Sequence, residues 1–176
     1  FSCFFIKITP SIKAKPFPMI KINDALLGPL IQEAKKSIRL RKNYNFHEKM
    51  DDPVQRLLNA LEPDTYVRPH RHRDPDKDEI FFILRGRMVF IEFDEEGQIT
   101  DHVLLDPLAG SFGCEVKAGK WHCLISLDSG SVAYEVKEGP FSPIQESDFS
   151  PWSPANDSDE IDHYKNHLLK ELGLLN

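Results

Sequence analysis

From residue 54 onward, apolar residues come in short runs broken by turn residues every 8–12 positions, the rhythm of a sheet protein rather than a helical one. Strands are predicted near 54–61, 64–71, 79–84, 87–93, 99–105, 112–117, 121–127 and 131–137. The turns between them are Glu62-Pro63-Asp64, Arg85-Gly86, Asp94-Glu95-Glu96-Gly97, Asp106-Pro107, Ala118-Gly119 and Asp128-Ser129-Gly130. Short antiparallel strands in this number predict an all-β double-sheet jelly roll or small barrel. On the third of them Glu79, Phe81 and Ile83 share one face and Ile80, Phe82 and Leu84 the other. Both faces are apolar, which predicts a barrel wall covered by a helix.

Helical periodicity flanks the sheet region. Leu26, Leu27, Leu30, Ile31, Ala34 and Ile38 recur at helical spacing and predict a helix from Asp24 to about Arg41, with Asn23 as N-cap and Pro29 kinking or delaying it. Its other face ends in Lys35, Lys36, Arg39, Arg41 and Lys42, either a solvated face suited to a helix C-terminus or a site for an anion. Asn43 to His47 is a polar-aromatic run without helical period. After the strands, residues 141–158 are rich in Pro and Ser, with Phe149 and Trp152 as anchors on the barrel. Asp157 or Ser158 caps a final helix carrying Ile161, Tyr164, Leu168, Leu169 and Leu172, and Gly173 ends it. Its apolar stripe is expected on the chain's own barrel, beside the first helix, with a dimer contact as the alternative. The expected organisation is an N-terminal extension over 1–18, a helix and linker over 19–53, the barrel over 54–140, and a closing loop and helix over 141–176, with no boundary for a second domain. The apolar octet that opens the extension is too short to span a bilayer. Its basic residues follow the apolar run, whereas a signal peptide has them in front. The extension reads as a loosely ordered arm, a start-site artefact, or a strand for a neighbouring subunit.

The chemistry concentrates in residues 66–86. His70 and His72 stand one residue apart, so in an extended strand both reach one point. Glu79 follows a polar loop, and His122 follows the Gly119 turn. Imidazoles and a carboxylate converging from separate segments are the donors of a transition metal. Asp74, Asp76 and Asp78 are neighbouring alternatives to Glu79. The same alternation points Tyr66 and Arg68 inward, Tyr66 as a proton-moving group and Arg68 as a fork for a carboxylate or phosphate, unless Pro69 breaks the strand and leaves Arg68 on the rim. Arg56 and Asn59 come from the neighbouring strand as further ligand-binding candidates. Phe81 and Trp121 belong to the pocket lining or to the core. No nucleophile elbow, phosphate-cradling loop or dinucleotide fingerprint is present, so any chemistry belongs to the metal.

Composition narrows the partners. The chain has 176 residues and a net charge of -6, which disfavours nucleic acid and anionic membrane. Its 40% hydrophobic content is enough to build a core. Three cysteines, Cys3, Cys114 and Cys123, form no even framework and imply a reducing, cytoplasmic setting. Strand alternation turns Cys123 away from the face of His122, as a buried structural thiol.

In the order His70-x-His72, Glu79-x6-Gly86 and Gly119-x2-His122, these residues resemble the cupin superfamily. The sequence departs from the superfamily's pattern at Asp64, Lys117 and Ser126 and in the longer spacer between His72 and Glu79. More narrowly, Asn43-Tyr-Asn45-Phe-His47, Gln55-Arg56-Leu-Leu-Asn59-Ala-Leu, Tyr66-Val-Arg68-Pro-His70-Arg-His72 and Tyr134-Glu-Val-Lys137-Glu138-Gly-Pro140 resemble the WbuC family of cupin-fold metalloproteins, over about residues 19–165. The resemblance implies a double-stranded β-helix with flanking helices and one divalent metal (Fe, Mn, Ni, Co or Zn) on His70, His72, Glu79 and His122. It also implies pocket roles for Asn45 and His47, the latter as a second proton carrier, and a homodimer through sheet edges. Some family members are encoded in O-antigen sugar clusters. That setting implies a small polar, anionic or sugar-type ligand and an isomerase, epimerase or lyase activity. An Fe(II)-dependent dioxygenase and a non-catalytic metal- or ligand-binding module are the alternatives.

Overall fold

A computed structural model describes residues 19–73 and 75–175. The expected extension over 1–18, Cys3 and Asp74 lie outside them. The described chain runs α1 (Asp24–Lys36), β1 (Arg41–Asn45), β2 (Val54–Leu61), β3 (Glu79–Arg85), β4 (Met88–Phe93), β5 (Ile99–Leu105), β6 (Gly113–Val116), β7 (Trp121–Ser126), β8 (Ser131–Glu138) and α2 (Ile161–Glu171). The strands form two antiparallel sheets, ordered β1-β2-β8-β3-β6 and β5-β4-β7. This is a double-sheet jelly roll with a helix at each end. Among the described residues no helix is long and apolar enough to cross a membrane.

Alternation along each strand builds three apolar layers. Leu61, Phe81, Ile83, Met88, Phe90, Leu124 and Ala133 fill the space between the sheets. On the outside of the five-stranded sheet, Leu58, Ala60 and Val132 meet Leu27, Leu30, Ile31 and Ala34 of α1. On the outside of the three-stranded sheet, Val89, Ile91, Phe93, Cys123 and Ile125 meet Leu168 of α2, with Tyr164, Leu169 and Leu172 packed beside it. The two helices therefore lie on different sheets, and the expectation that they sit side by side is corrected. The last helix does close on its own barrel, and Gly173 ends it at φ +68°. Trp152 anchors the preceding segment, its ring 5.0 Å from that of Phe93.

Three further expectations are corrected. The first helix stops at Lys36 rather than near Arg41. Ser37 takes extended geometry, its hydroxyl donates to the Arg41 carbonyl and accepts from the Arg41 amide, and Leu40 turns at φ +53°. Local hydroxyl bonds of this kind compete with helix continuation. The released chain becomes β1, which pairs with β2 from Arg41↔Leu61 to Asn45↔Leu57, so the sheet begins upstream of residue 54. The strand expected over 64–71 shrinks to a bridge at His70, because Pro69 has no amide hydrogen to give. Finally, the outer face of β3 is not covered by a helix. Phe82 and Leu84 remain 47% and 40% exposed, since α1 rests on β1, β2 and β8.

Candidate metal centre

Two short hydrogen bonds place the histidines. The His70 amide donates to the His122 carbonyl and the His122 amide to the His70 carbonyl, both at 2.9 Å. This fastens the 69–72 segment across β7. On its other side the Arg71 amide donates to the Asp148 carbonyl and the Ser150 amide to the Pro69 carbonyl, each at 2.9 Å. The segment thus runs between β7 and the closing loop. Arg71, between the two histidines, turns the opposite way. Its guanidinium lies 3.9 Å from the Trp121 ring and pairs with Glu95 at 2.7 Å. Anchoring Arg71 outside directs His70 and His72 inside. Glu79 opens β3 opposite Lys137 and Val116, with its side chain between the sheets.

His70, His72, Glu79 and His122 are thereby brought together. One ligand atom from each lies within 4.8 Å of the others, so the cluster could hold a metal ion. The Nδ1 atoms of His70 and His122 meet the carbonyls of Arg68 and Lys120 at 2.9 and 3.0 Å. A carbonyl only accepts, so each Nδ1 carries a proton, and the Nε2 of each ring, once neutral, is the atom that would ligate a metal. The His72 and His122 Nε2 atoms approach Glu79 at 3.2 and 2.9 Å. Neither contact has hydrogen-bond geometry, and both nitrogens, with Oε2 of Glu79, stay buried without a hydrogen-bond partner. Buried polar atoms without partners are costly, and a shared cation would satisfy all three at once.

The charge states fit. Burial, then the neighbouring His122, pushes His70 well below the usual histidine range, which keeps it neutral and able to ligate. Burial opposes charge on Glu79, but contacts with His122, His72 and Lys137 outweigh it and hold its carboxyl well below the usual range. Burial likewise opposes charge on His122, and Glu79 outweighs it, raising the pKa. A metal ligates only neutral imidazole. In the metal-free protein the raised His122 therefore holds a proton that the ion must displace, and metal affinity climbs with pH through that pKa. Calorimetry of Zn(II) binding in buffers of different ionisation enthalpy is expected to show net proton release near pH 6, declining as pH rises. No release at pH 6 would contradict this charge assignment.

A cavity of about 190 Å³ opens on the cluster, lined by His70, Glu79 and His122 and by the apolar Leu61, Val67, Phe81, Leu124 and Ile144. Arg41, Asn43, Asn59, Glu135 and Lys137 supply its polar wall. Lys137 bridges Glu79 at 2.8 Å and Glu135 at 3.0 Å. Burial works against its charge, but Glu135 and Glu79 outweigh it and raise its pKa. The Asn59 amide also donates to Glu135.

Apart from Asn59, the remaining expected catalytic and ligand-binding residues are placed elsewhere. Tyr66 points to the closing loop, its hydroxyl donating to the Pro154 carbonyl at 2.9 Å, and burial first of all pushes it up to about 12. Arg68 also leaves the cluster. It donates to Glu146 at 2.9 Å, the Ser150 carbonyl at 3.0 Å and Ser153 at 3.3 Å, and stacks 5.0 Å from the Phe149 ring. Once the expected strand is lost, its alternation no longer holds, so Arg68 fastens the closing loop. Arg68→Ala is expected to lower stability by roughly 1–3 kcal/mol, because a carbonyl and a ring contact lose a charged partner. Thermal unfolding checks this. His47 and Arg56 bond each other's backbone neighbourhood, His47 Nδ1 meeting the Arg56 amide at 3.2 Å, and neither lines the cavity. Asn45 lies at the exposed end of β1, and Asp76 and Asp78 stay outside the cluster. Cys123 is buried against α2, and Cys114 is a half-buried free thiol. Phe81 lines the cavity and Trp121 sits on the outer layer. Of the expected ligand-binding set, Asn59 reaches the cavity. Arg41, Asn43, Glu135 and Lys137 were not anticipated there. The register Glu79↔Lys137, with Glu135 on the same face of β8, is the signal that could have revealed the last two.

Over residues 22–105 the chain matches a family described as a domain of unknown function, DUF6016. No curated protein matches it. Among solved structures it is similar to a structural-genomics protein from Shewanella oneidensis, at 15% identity and a TM-score of 0.49, covering 74% of this chain and 84% of that one. It is similar to KdgF from Halomonas sp., at 14% identity and a TM-score of 0.43, covering 61% and 82%. It is also similar to an RmlC-like cupin protein from Desulfovibrio desulfuricans, at 9% identity and a TM-score of 0.43, covering 76% and 97%.

Proposed function

We propose that this protein is a metal-dependent cupin that holds one divalent transition metal on His70, His72, Glu79 and His122 and acts on a small polar, anionic or sugar-type ligand in the adjoining cavity. The observation that carries the reading is the set of buried Nε2 and Oε2 atoms, close together and without hydrogen-bond partners. Three imidazoles and one carboxylate suit Fe, Mn, Co, Ni or Zn. Such an ion polarises a carbonyl or diol, or activates water. The chain's own residues do the rest. The Arg68 and Lys120 carbonyls fix the tautomers of His70 and His122. Leu61, Val67, Phe81, Leu124 and Ile144 keep water from the ligand's apolar side. Lys137 holds Glu79 and Glu135 in place.

The sequence pattern of the WbuC cupins supports a sugar or sugar nucleotide as ligand and an isomerase, epimerase or lyase reaction in polysaccharide metabolism. Metal-loaded protein incubated with sugar nucleotides in heavy water tests this by proton NMR. Deuterium entering the sugar, or a new product, is expected for chemistry that breaks a C–H bond. Binding without exchange or product for any of them would turn the reading to a non-catalytic binding module.

A further inference from the structure

Arg41 is a charged group of the cavity wall that makes no ion pair among the described residues. It opens β1 and is half-buried in the cavity wall, and its Nη1 donates to the Tyr66 carbonyl. No carboxylate of a described residue pairs with it. Burial lowers its pKa and repulsion from Arg39 adds to the lowering, with no acidic group opposing them. Lys137, on the same cavity, is by contrast held between two carboxylates. Beside Arg41, Asn43 lies on the same face of β1, directly opposite Asn59 of β2, and both amides line the cavity. The formal charges of Glu79 and Glu135 cancel those of Arg41 and Lys137, so a divalent ion on the histidines would leave the cavity at +2. An unpaired guanidinium in a confined space is costly, and an anion meeting its planar fork removes that cost.

We infer that Arg41, flanked by Asn43 and Asn59, anchors the anionic group of the cavity's ligand, a carboxylate or a phosphate, while oxygen donors on the same ligand face the histidine cluster. This rests on the reading of the cavity as the ligand site beside a metal. It moves the anion-holding role from Arg68 to Arg41, a member of the basic cluster that the sequence left as either a solvated helix face or a site for an anion.

The test is calorimetric titration of malonate and of inorganic phosphate into wild type, Arg41→Gln and Arg41→Lys, each metal-free and after loading with Zn(II). Which of the two anions binds more tightly identifies the ligand's anionic group. At least one is expected to bind wild type, more tightly when Zn(II) is present. Arg41→Gln is expected to weaken it at least tenfold with Zn(II) stoichiometry unchanged. Arg41→Lys keeps the charge without the fork and is expected to fall between the two. Should Arg41→Gln fail to fold, as thermal unfolding would show, Arg41→Lys decides, and affinity equal to wild type overturns the inference. Wild-type affinity in Arg41→Gln, or neither anion binding to folded Zn(II)-loaded wild type, overturns it as well. Anion binding that depends on Arg41 in protein unable to take up Zn(II) supports the anchor and rejects the metal reading.

Discussion

Replacing His122 by Ala is expected to weaken metal binding by about 100-fold or more, a larger effect than losing a residue that only supports a ligand. His122 is central in two ways. Its Nε2 lies 2.9 Å from Glu79, and its backbone holds His70 through two hydrogen bonds. The substitution keeps those backbone bonds and removes only the ring, so His70 and His72 stay in place and the loss reports the missing ligand. Cys123 provides the control, since it follows His122 directly but faces α2. Cys123→Ala is expected to lower stability and leave metal affinity unchanged. Competition titration of Co(II) against a chelator reads both. Equal affinity in His122→Ala and wild type would remove His122 from the site.

The second large effect is on stability. Phe90 is 3% exposed between the sheets, its ring 4.7 Å from that of Phe81, which in turn lines the cavity. Phe90→Ala removes most of a buried aromatic side chain and leaves a void that rigid strands close only in part. A cost of about 3–5 kcal/mol is expected, a large share of the roughly 5–15 kcal/mol that holds a domain folded. Urea unfolding measures it. A loss below about 1 kcal/mol would mean that the interior collapses around the gap and that the packing between Phe81 and Phe90 does not brace the cavity.

The jelly roll was legible because strand alternation is strict wherever both faces of a strand are occupied. β2, β4, β7 and β8 carry apolar residues inward to the core and outward to a helix, and the turns between strands are marked by Gly, Pro and Asp. The four clustered residues were legible for the same reason, since short motif spacing and parity fix which side chains share a face. What failed depended on partners distant in sequence. Arg41 looked like the end of a helix because Ser37 and Leu40 break that helix through local geometry no periodicity reveals. Tyr66 and Arg68 were assigned inward by an alternation that the loop before Pro69 does not keep. Their actual partners, Pro154, Ser150 and Glu146, lie about eighty residues later in a segment without periodicity. Lys137 and Glu135 needed the register between β3 and β8, which a single strand's pattern does not contain.

The most direct measurement is elemental analysis of the protein purified without added metal or a metal-chelating tag, with His70→Ala and Glu79→Ala beside it. About one equivalent of a transition metal in the wild type, lost in both variants while they remain folded, is the predicted result. Wild-type protein that holds no transition metal and takes up none from Fe, Mn, Co, Ni or Zn would contradict the account, and the buried, unpartnered atoms of His72, His122 and Glu79 would then need another explanation.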